Sequence, residues 1–242
     1  MNIVIPMAGL GSRFPSHTYP LPKPLISVNG EPMITKAIKS LGFHGPVSWF
    51  FVIAKNQFTE LVKQTILDVV PCAEFIEIDY LTEGPACSAL LFKDKINTDE
   101  ELIIANCDQI MRWNSYLFLL NARQFHGAVV TYHNDTDKNS YARLDSQGYV
   151  IEIREKEVIS NVSLNGIHYW NKGKYFVDSA EEMIAAGDRA PNGEFYIGPT
   201  YNYIINKLYG VGIYHIPNCQ HFAVGVPSDL EKYIKYENSQ PI

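Results

Sequence analysis

Short apolar runs alternate with helix-like stretches along the first half of this chain, and this alternation restricts its fold more than any other feature. The apolar runs are rich in Ile, Val and Phe, are too short for helices and lie at 2–7, 48–54, 75–81 and 101–105. Helices are predicted between them, at 32–41 with Pro32 in the first turn, at 56–69 with Asn56 as cap, and at 85–95. Because parallel strands need helical crossovers, the pattern predicts an α/β fold with a doubly wound, mostly parallel sheet that binds ligands at the carboxyl ends of its strands.

The second half of the chain contains consecutive strands instead. Strand-like segments lie at 127–134, 140–145, 149–154 and 162–170, with a hairpin turn at 145–148. They predict a small antiparallel lobe. Helices are expected at 174–187, 198–208 and 228–237, the last with a capping box formed by Ser228 and Glu231.

Charge and composition exclude several classes of protein. The net charge of −6, with no basic run, argues against a protein that binds duplex nucleic acid. No run of about 18 apolar residues occurs, and the first residues lack the features of a signal peptide, so we expect a cytoplasmic protein that does not bind membranes. The four cysteines are widely spaced, which favours reduced thiols over disulfides or a zinc site.

A glycine-containing loop follows the first strand directly. It reads Met7-Ala8-Gly9-Leu10-Gly11-Ser12-Arg13, and Lys23 follows in Leu21-Pro22-Lys23-Pro24-Leu25. Small residues let backbone amides approach an anion, while an arginine fork and a mobile lysine together suit a triphosphate. The spacing is neither that of a dinucleotide-binding fingerprint nor that of a P-loop, and the two glycines alone could mark an ordinary tight turn.

These two segments together resemble the signature of sugar-phosphate nucleotidylyltransferases, also called nucleotide-sugar pyrophosphorylases. The resemblance extends over most of the chain. It implies a Rossmann-like fold of the nucleotide-diphospho-sugar transferase type, as one domain over 1–242 in a short form without a carboxyl-terminal β-helix. Residues 1–134 would form the nucleotide-binding half and residues 135–242 the acceptor-binding half.

The same resemblance assigns roles to the residues of the loop. Ala8, Gly9, Gly11 and Ser12 would hold the base and phosphates of a nucleoside triphosphate. Arg13 would stabilise the triphosphate in the transition state and Lys23 would contact phosphate, so these two are the predicted catalytic residues.

A carboxylate follows the fourth predicted strand, in Asn106-Cys107-Asp108-Gln109. Asp108 can hold Mg²⁺, which usually takes one or two protein carboxylates and completes its shell with phosphate oxygens and water. Alternatively, Asp108 only caps a following helix. The resemblance favours the metal site, but Ala223 occupies the position where the family commonly has a second metal aspartate, so a second metal would need Asp229 or His221, or be absent.

Further residues are candidates for contacts with the substrates. By resemblance, Glu83 and Gly84 face the base or sugar of the nucleotide, although a short strand-to-helix turn also favours glycine. Lys156, with Glu155, would grip the acceptor phosphate and sugar, although such a pair is ordinarily a solvated surface pair.

The last acceptor candidates lie further along the chain. Gly166 and Glu194 would meet the acceptor in the family pattern. Tyr196 and Tyr201 could line the same pocket, but aromatic side chains near an α/β cleft more often pack beneath it.

Together these features predict a nucleotidylyltransferase that joins a nucleoside triphosphate to a sugar 1-phosphate and releases pyrophosphate. The nearest alternative is a cytidylyltransferase for a phosphorylated alcohol or amine such as phosphocholine. A glycosyltransferase would need a D-x-D motif where this chain has Asn106-Cys107-Asp108, and a non-catalytic nucleotide-binding descendant is the third alternative. The base is open, and a homodimer is the default assembly.

Overall fold

The computed structural model describes residues 1–207 and 209–240. Its strands are β1 (Asn2–Pro6), β2 (Ser27–Val28), β3 (Glu31–Pro32), β4 (Ser48–Ala54), β5 (Glu74–Ile78), β6 (Leu102–Ala105), β7 (Gln109–Met111), β8 (Gly127–His133), β9 (Ser140–Leu144), β10 (Val150–Glu155), β11 (Val162–Trp170), β12 (Val211–His215) and β13 (His221–Ala223). Its helices are α1 (Met33–Leu41), α2 (Thr59–Leu67), α3 (Pro85–Leu90), α4 (Lys93–Ile96), α5 (Ser115–Ala122), α6 (Gly173–Ala185), α7 (Thr200–Ile205) and α8 (Pro227–Asn238).

The predicted parallel sheet is present. Strands β6, β1, β4 and β5 lie side by side in that order, and each neighbouring pair is parallel. The chain passes from β1 to β4 and β5 on one side and returns to β6 on the other. The crevice between the carboxyl ends of β1 and β6 is therefore a topological switch point, where α/β sheets bind ligands.

The antiparallel strands continue the same nine-stranded sheet. Residues 167–170 of β11 pair with β6, and β8 and β12 extend the sheet beyond β11. The other end of β11 contacts the β9–β10 hairpin through Ser163 and Tyr141. Between these two contacts, the pairing of β11 with β8 on its other edge shifts register from Leu164 to His168, and Gly166 lies in this interval.

Hydrophobic layers cover both faces of the sheet. Ile3 and Ile5 of β1 point into one layer and Val4 into the other, as the alternation of a strand requires. A third, smaller cluster joins the glycine loop to the end of the chain, because Phe14 and Met33 pack with Leu230 and Tyr233 of α8.

Several local expectations differ from the structure. The helix predicted at 85–95 divides into α3 and α4, and the predicted capping box is wrong because no side chain caps α8, whose N-cap residue is Val226. The helix expected at 198–208 spans 200–205, and residue 208 lies outside the described residues.

The sequence pattern also left some elements out. Helix α5 is apolar around its circumference and has no helical period to detect, and β7, β12 and β13 are five residues long at most. None of the helices in the described residues is both long and apolar enough to cross a bilayer.

Candidate active site

A cavity of about 670 Å³ opens at the switch point and extends along residues 164–168 of β11. Its walls come from both halves of the chain. The predicted site residues in its lining are Arg13, Asp108, Glu155, Lys156, Gly166 and Asp229. The structure thus brings the first catalytic candidate, the metal candidates and most of the acceptor candidates to one space.

Lys23 forms an ion pair with Asp108 at the edge of this cavity. Lys23 lies in a short 3-10 turn, Lys23–Leu25, and its side chain is largely buried. Burial is the largest single effect and lowers the pKa of Lys23, but the charge of Asp108, the nearby Cys107 and the hydrogen bond to Asp108 together outweigh it, so the net pKa is raised. Lys23 therefore carries a positive charge next to the carboxylate at the end of β6.

The alternative in which Asp108 caps a helix is not supported, because a strand follows it. Asp108 precedes β7, which pairs with β13 near the end of the chain, and the carbonyl of Asp108 accepts a hydrogen bond from the amide of Val224 at 2.8 Å. Its carboxylate is directed to Lys23 instead of a helix N-terminus.

Strand β13 places the carboxyl-terminal segment in the cavity wall. Ala223 pairs with Gln109 of β7, so the position that lacks the family's second aspartate lines the cavity without a carboxylate. His221 also lines the cavity, and burial lowers its pKa to about 4 against the attraction of Asp108. Its imidazole is therefore neutral near pH 7.

The protein oxygens in this wall can bind a hard cation such as Mg²⁺ only if a bound substrate supplies further oxygen ligands. Asp108 and Asp229 supply two carboxylates. Within residues 1–207 and 209–240, no group of three or more His, Cys, Asp and Glu side chains is arranged to hold a metal. Mg²⁺ commonly completes its shell with phosphate and water, so two carboxylates facing a phosphate site fit it.

The acceptor candidates Glu155 and Lys156 lie at the end of β10. Glu155 is buried, which raises the pKa of its carboxyl group, and Ser140 donates a hydrogen bond to it. Lys156 adopts a positive φ of 57°, an uncommon backbone conformation for a residue other than glycine. Its Nζ donates to the Tyr196 hydroxyl at 2.8 Å, so the ammonium group is held in the cavity wall.

Gly166 lies where β11 shifts register. Its φ is +93°, and a Cβ atom there would collide with the side-chain amide of Asn106. A larger residue would therefore have to displace the side chain of Asn106, two positions before Asp108. The absence of a side chain at Gly166 leaves room for Asn106 beside β11.

Three predicted site residues are not among the described residues that line the cavity: Glu83, Gly84 and Glu194. They lie in two chain segments beside it. The backbone of Phe195 bonds to Glu83 and Ala86 at 2.8 and 3.0 Å, and Gly84, with φ +138°, packs directly against it. The side chain of Glu83 pairs with Arg189, and that of Glu194 accepts from Asn192 at 2.8 Å. In this structure these residues join two chain segments beside the cavity.

The glycine loop forms the rim next to Arg13. Ala8 is buried, Gly9 and Ser12 are exposed, and the carbonyl of Gly11 accepts a hydrogen bond from the amide of Phe14 at 2.9 Å. Leu10 at the tip of the loop is 77% exposed. The loop thus keeps its amides near solvent at the carboxyl end of β1.

Other residues of the cavity had no signal in the sequence motifs. Gln109 and His168 lie in its wall with Tyr132 and Lys138. Tyr201 is fully buried and donates to the carbonyls of Ala128 and Tyr169, which confirms that it packs instead of lining the cavity. Tyr196 lines the cavity after all.

The switch-point cavity, with its glycine loop, cations and strand-end carboxylate, defines a protein of the nucleotidyltransferase class. The sequence profile of the MobA-like NTP transferase domain matches residues 3–163, and the chain belongs to this family. This confirms the prediction of an enzyme that transfers nucleotidyl groups. No curated protein matches the chain significantly in sequence.

Solved structures of similar fold agree with this class. The nucleoside-diphosphate-sugar pyrophosphorylase from Vibrio cholerae RC9 superposes with a TM-score of 0.85 at 21% identity, over 96% of this chain and 99% of that one. The inositol-1-phosphate CTP transferase from T. maritima gives a TM-score of 0.75 at 14% identity, over 98% and 94%. A UDP-glucose pyrophosphorylase complexed with UDP-glucose gives 0.74 at 14% identity, over 99% of each chain. The predicted fold class is thereby confirmed.

Proposed function

We propose that this enzyme condenses a nucleoside triphosphate with a sugar 1-phosphate to give a nucleotide sugar and pyrophosphate. The observation that carries the proposal is the single cavity in which Arg13 and Asp108 of the predicted nucleotide half face Lys156 and Gly166 of the predicted acceptor half. Two phosphorylated ligands could meet there, one from each side.

The chemistry that these residues support is a direct displacement at phosphorus. An oxygen of the acceptor phosphate attacks the α-phosphorus, and a new P–O bond forms as the bond from the α-phosphorus to the bridging oxygen of the β-phosphate breaks. The electron pair of that bond leaves with pyrophosphate. No protein nucleophile is needed, because holding two mutually repelling anions in line supplies much of the catalysis.

Arg13, Lys23 and Lys156 would provide the positive charge for this step. Arg13 can bind two phosphate oxygens with its guanidinium fork, while Lys23 and Lys156 act as point charges. Lys156 is positioned for the acceptor phosphate by its hydrogen bond to Tyr196. Charge neutralisation in a partly enclosed site stabilises the transition state more than it would in water.

Mg²⁺ is part of this proposal. Asp108 and Asp229 would hold it together with phosphate oxygens, and when bound it would neutralise phosphate charge and orient the triphosphate. We expect EDTA to abolish turnover and added Mg²⁺ to restore it. Asp108→Asn should require much more Mg²⁺ than Asp229→Asn, because Asp108 is the carboxylate at the strand end.

The deciding experiment is pyrophosphate release in the presence of Mg²⁺. CTP, UTP, GTP, ATP and dTTP are each combined with a panel of sugar 1-phosphates, inositol 1-phosphate and phosphocholine. Release with a sugar 1-phosphate supports the proposal. Release with none of these acceptors, under conditions where a nucleotide raises the melting temperature, would indicate a protein that binds nucleotides without transferring them.

A CTP-dependent enzyme for a phosphorylated alcohol is the second candidate. The observation that favours it is the similarity in fold to the T. maritima protein named for CTP and inositol 1-phosphate. The same panel distinguishes the two candidates, because it contains acceptors of both kinds.

A further inference from the structure

Gln109 lies in the cavity wall and has a buried side-chain amide without a hydrogen-bond partner. It is 2% exposed, and neither its Oε1 nor its Nε2 has a hydrogen-bond partner among the described residues. It lies in the cavity lining, and a Cβ atom placed on Gly166 would be 3.3 Å from its Oε1. A buried amide with both ends unpaired is rare in native proteins and calls for a ligand or water as partner.

His168 carries a second unpaired buried polar atom in the same cavity wall. Its side chain is 6% exposed and stacks near Trp170 and Tyr201, while its Nδ1 has no partner in the described structure. Burial lowers the pKa of His168 to about 3, so the ring is neutral near pH 7 and can donate or accept a hydrogen bond. The inner wall therefore carries neutral hydrogen-bonding groups.

These groups determine what kind of ligand the wall can accept. A hydroxyl group both donates and accepts, so it can satisfy an amide or a neutral imidazole. An apolar or quaternary ammonium group would cover Gln109 without pairing it, and a site built to pair a hydroxyl group discriminates strongly against a ligand that lacks one.

The aromatic residues of the cavity do not offer an open cage for a quaternary ammonium group. Such a cage needs aromatic faces that are free to contact the cation. The ammonium group of Lys156 lies 4.8 Å from the ring centre of Tyr196, and the ring of His221 lies 4.7 Å from that of Tyr132. Lys156 therefore already occupies one face of Tyr196, and His221 packs against Tyr132 at a tilted angle.

We infer that Gln109 is a specificity-determining residue that hydrogen bonds to a hydroxyl group of the acceptor, with His168 beside it, so that the acceptor is a polyhydroxylated phosphate. This inference rests on the proposed function, because it concerns the acceptor side of the same cavity. It selects sugar or cyclitol phosphates over phosphocholine.

The first test uses the wild-type enzyme. Acceptor specificity is measured with glucose 1-phosphate, inositol 1-phosphate and phosphocholine, followed by the monodeoxy derivatives of whichever hydroxylated acceptor gives more turnover. We expect no turnover of phosphocholine, and one monodeoxy derivative with a kcat/KM at least 100-fold below that of its parent. Turnover of phosphocholine above both hydroxylated acceptors would overturn the inference and leave nucleotidyl transfer intact.

The second test uses Gln109→Leu, with Gln64→Leu on the exposed face of α2 as matched control. Gln109→Leu should lower kcat/KM for the parent acceptor about 10-fold or more through KM, and leave KM for the nucleotide unchanged. The discrimination against the monodeoxy derivative should largely disappear. The melting temperature should stay the same or rise, because the substitution removes an unpaired buried amide.

A purely structural role for Gln109 gives a different result. The melting temperature would then fall and both substrates would be affected, with discrimination against the deoxy derivative unchanged, and the inference would be wrong. If no pyrophosphate is released at all, the melting temperature is measured with the parent acceptor alone. A rise in the wild type but not in Gln109→Leu supports the inference while the proposed function fails, whereas equal behaviour of both proteins rejects both.

Discussion

Arg13 and Lys156 line the same cavity, but each is predicted to bind a different substrate. Arg13 follows the glycine loop and Lys156 follows β10, so the two side chains approach from the two halves of the chain. For each of these two residues it must be decided which substrate the cation binds. The change that a substitution causes in KM for each substrate decides it.

Arg13→Ala should lower kcat by about 100-fold or more, because a charge that stabilises the transition state is lost. KM for the acceptor should change less than about twofold. Steady-state pyrophosphate release measures both constants. Arg143→Ala, at an exposed position on β9, is the control, and an Arg13→Ala enzyme with nearly normal turnover would refute the role.

Lys156→Met should raise KM for the acceptor about 10-fold and change KM for the nucleotide little. Tyr196→Phe should have a smaller effect in the same direction, because it removes the hydroxyl group that positions the Lys156 ammonium group. Lys172→Met, on the remote ion pair with Asp99, is the control. A larger effect on the nucleotide than on the acceptor would place Lys156 on the other side of the site.

Strand β11 links the sheet to the cavity and contains a histidine that burial keeps neutral. The pKa of His168 is lowered to about 3, far below that of an unfolded chain. The unfolded state therefore binds a proton more readily than the native state. The contribution of this group to stability is complete above the unfolded pKa of about 6.5 and is lost as the pH falls towards the folded value.

Wild-type protein should therefore lose up to about 1.4 kcal/mol of unfolding free energy per pH unit from this group between about pH 6 and pH 4. His168→Phe keeps an aromatic ring and should have a shallower slope, with the remaining slope coming partly from His221. Urea denaturation at several pH values measures the slope. The exposed His17→Phe should keep the wild-type slope, and an unchanged slope in His168→Phe would contradict the assignment.

At the scale of the whole molecule, helix α8 near the carboxyl end of the chain packs against the residues that follow the glycine loop near its beginning. Leu230 packs with Phe14, which follows Arg13, and with Ile110, which follows Gln109. The small cluster therefore supports the glycine loop and the β7–β13 pair at once. Glu237 adds an ion pair with Lys36 of α1.

Leu230→Ala should lower the unfolding free energy by about 2 to 5 kcal/mol, because it leaves a cavity in this cluster. The variant should also have a raised KM for the nucleotide, since Phe14 loses its support. Chemical denaturation and pyrophosphate release check the two effects. Leu120→Ala, at a half-exposed position on α5, should change stability by less than about 1 kcal/mol.

The sequence by itself determined the four parallel strands and the helices α1 and α2, and with them the class of fold. Apolar runs and helical periods are short-range properties, so 48–54 and 32–41 are readable before any tertiary contact is known. The glycine loop and Asp108 were readable for the same reason, because each directly follows a strand whose carboxyl end faces the ligand crevice. The capping box at Ser228 was misread because a local motif does not show whether the side chain turns to the helix.

The tertiary structure alone decided which of these residues share a site. The Lys23–Asp108 pair joins residues 85 positions apart, and Gln109 faces Ala223 only because β7 pairs with β13. The unpaired amide of Gln109 has no sequence signal, since burial depends on what the rest of the chain packs around it. Likewise, Gly166 lies against Asn106 and Gln109 where the β11–β8 pairing shifts register, and strand register is set by packing across the whole sheet.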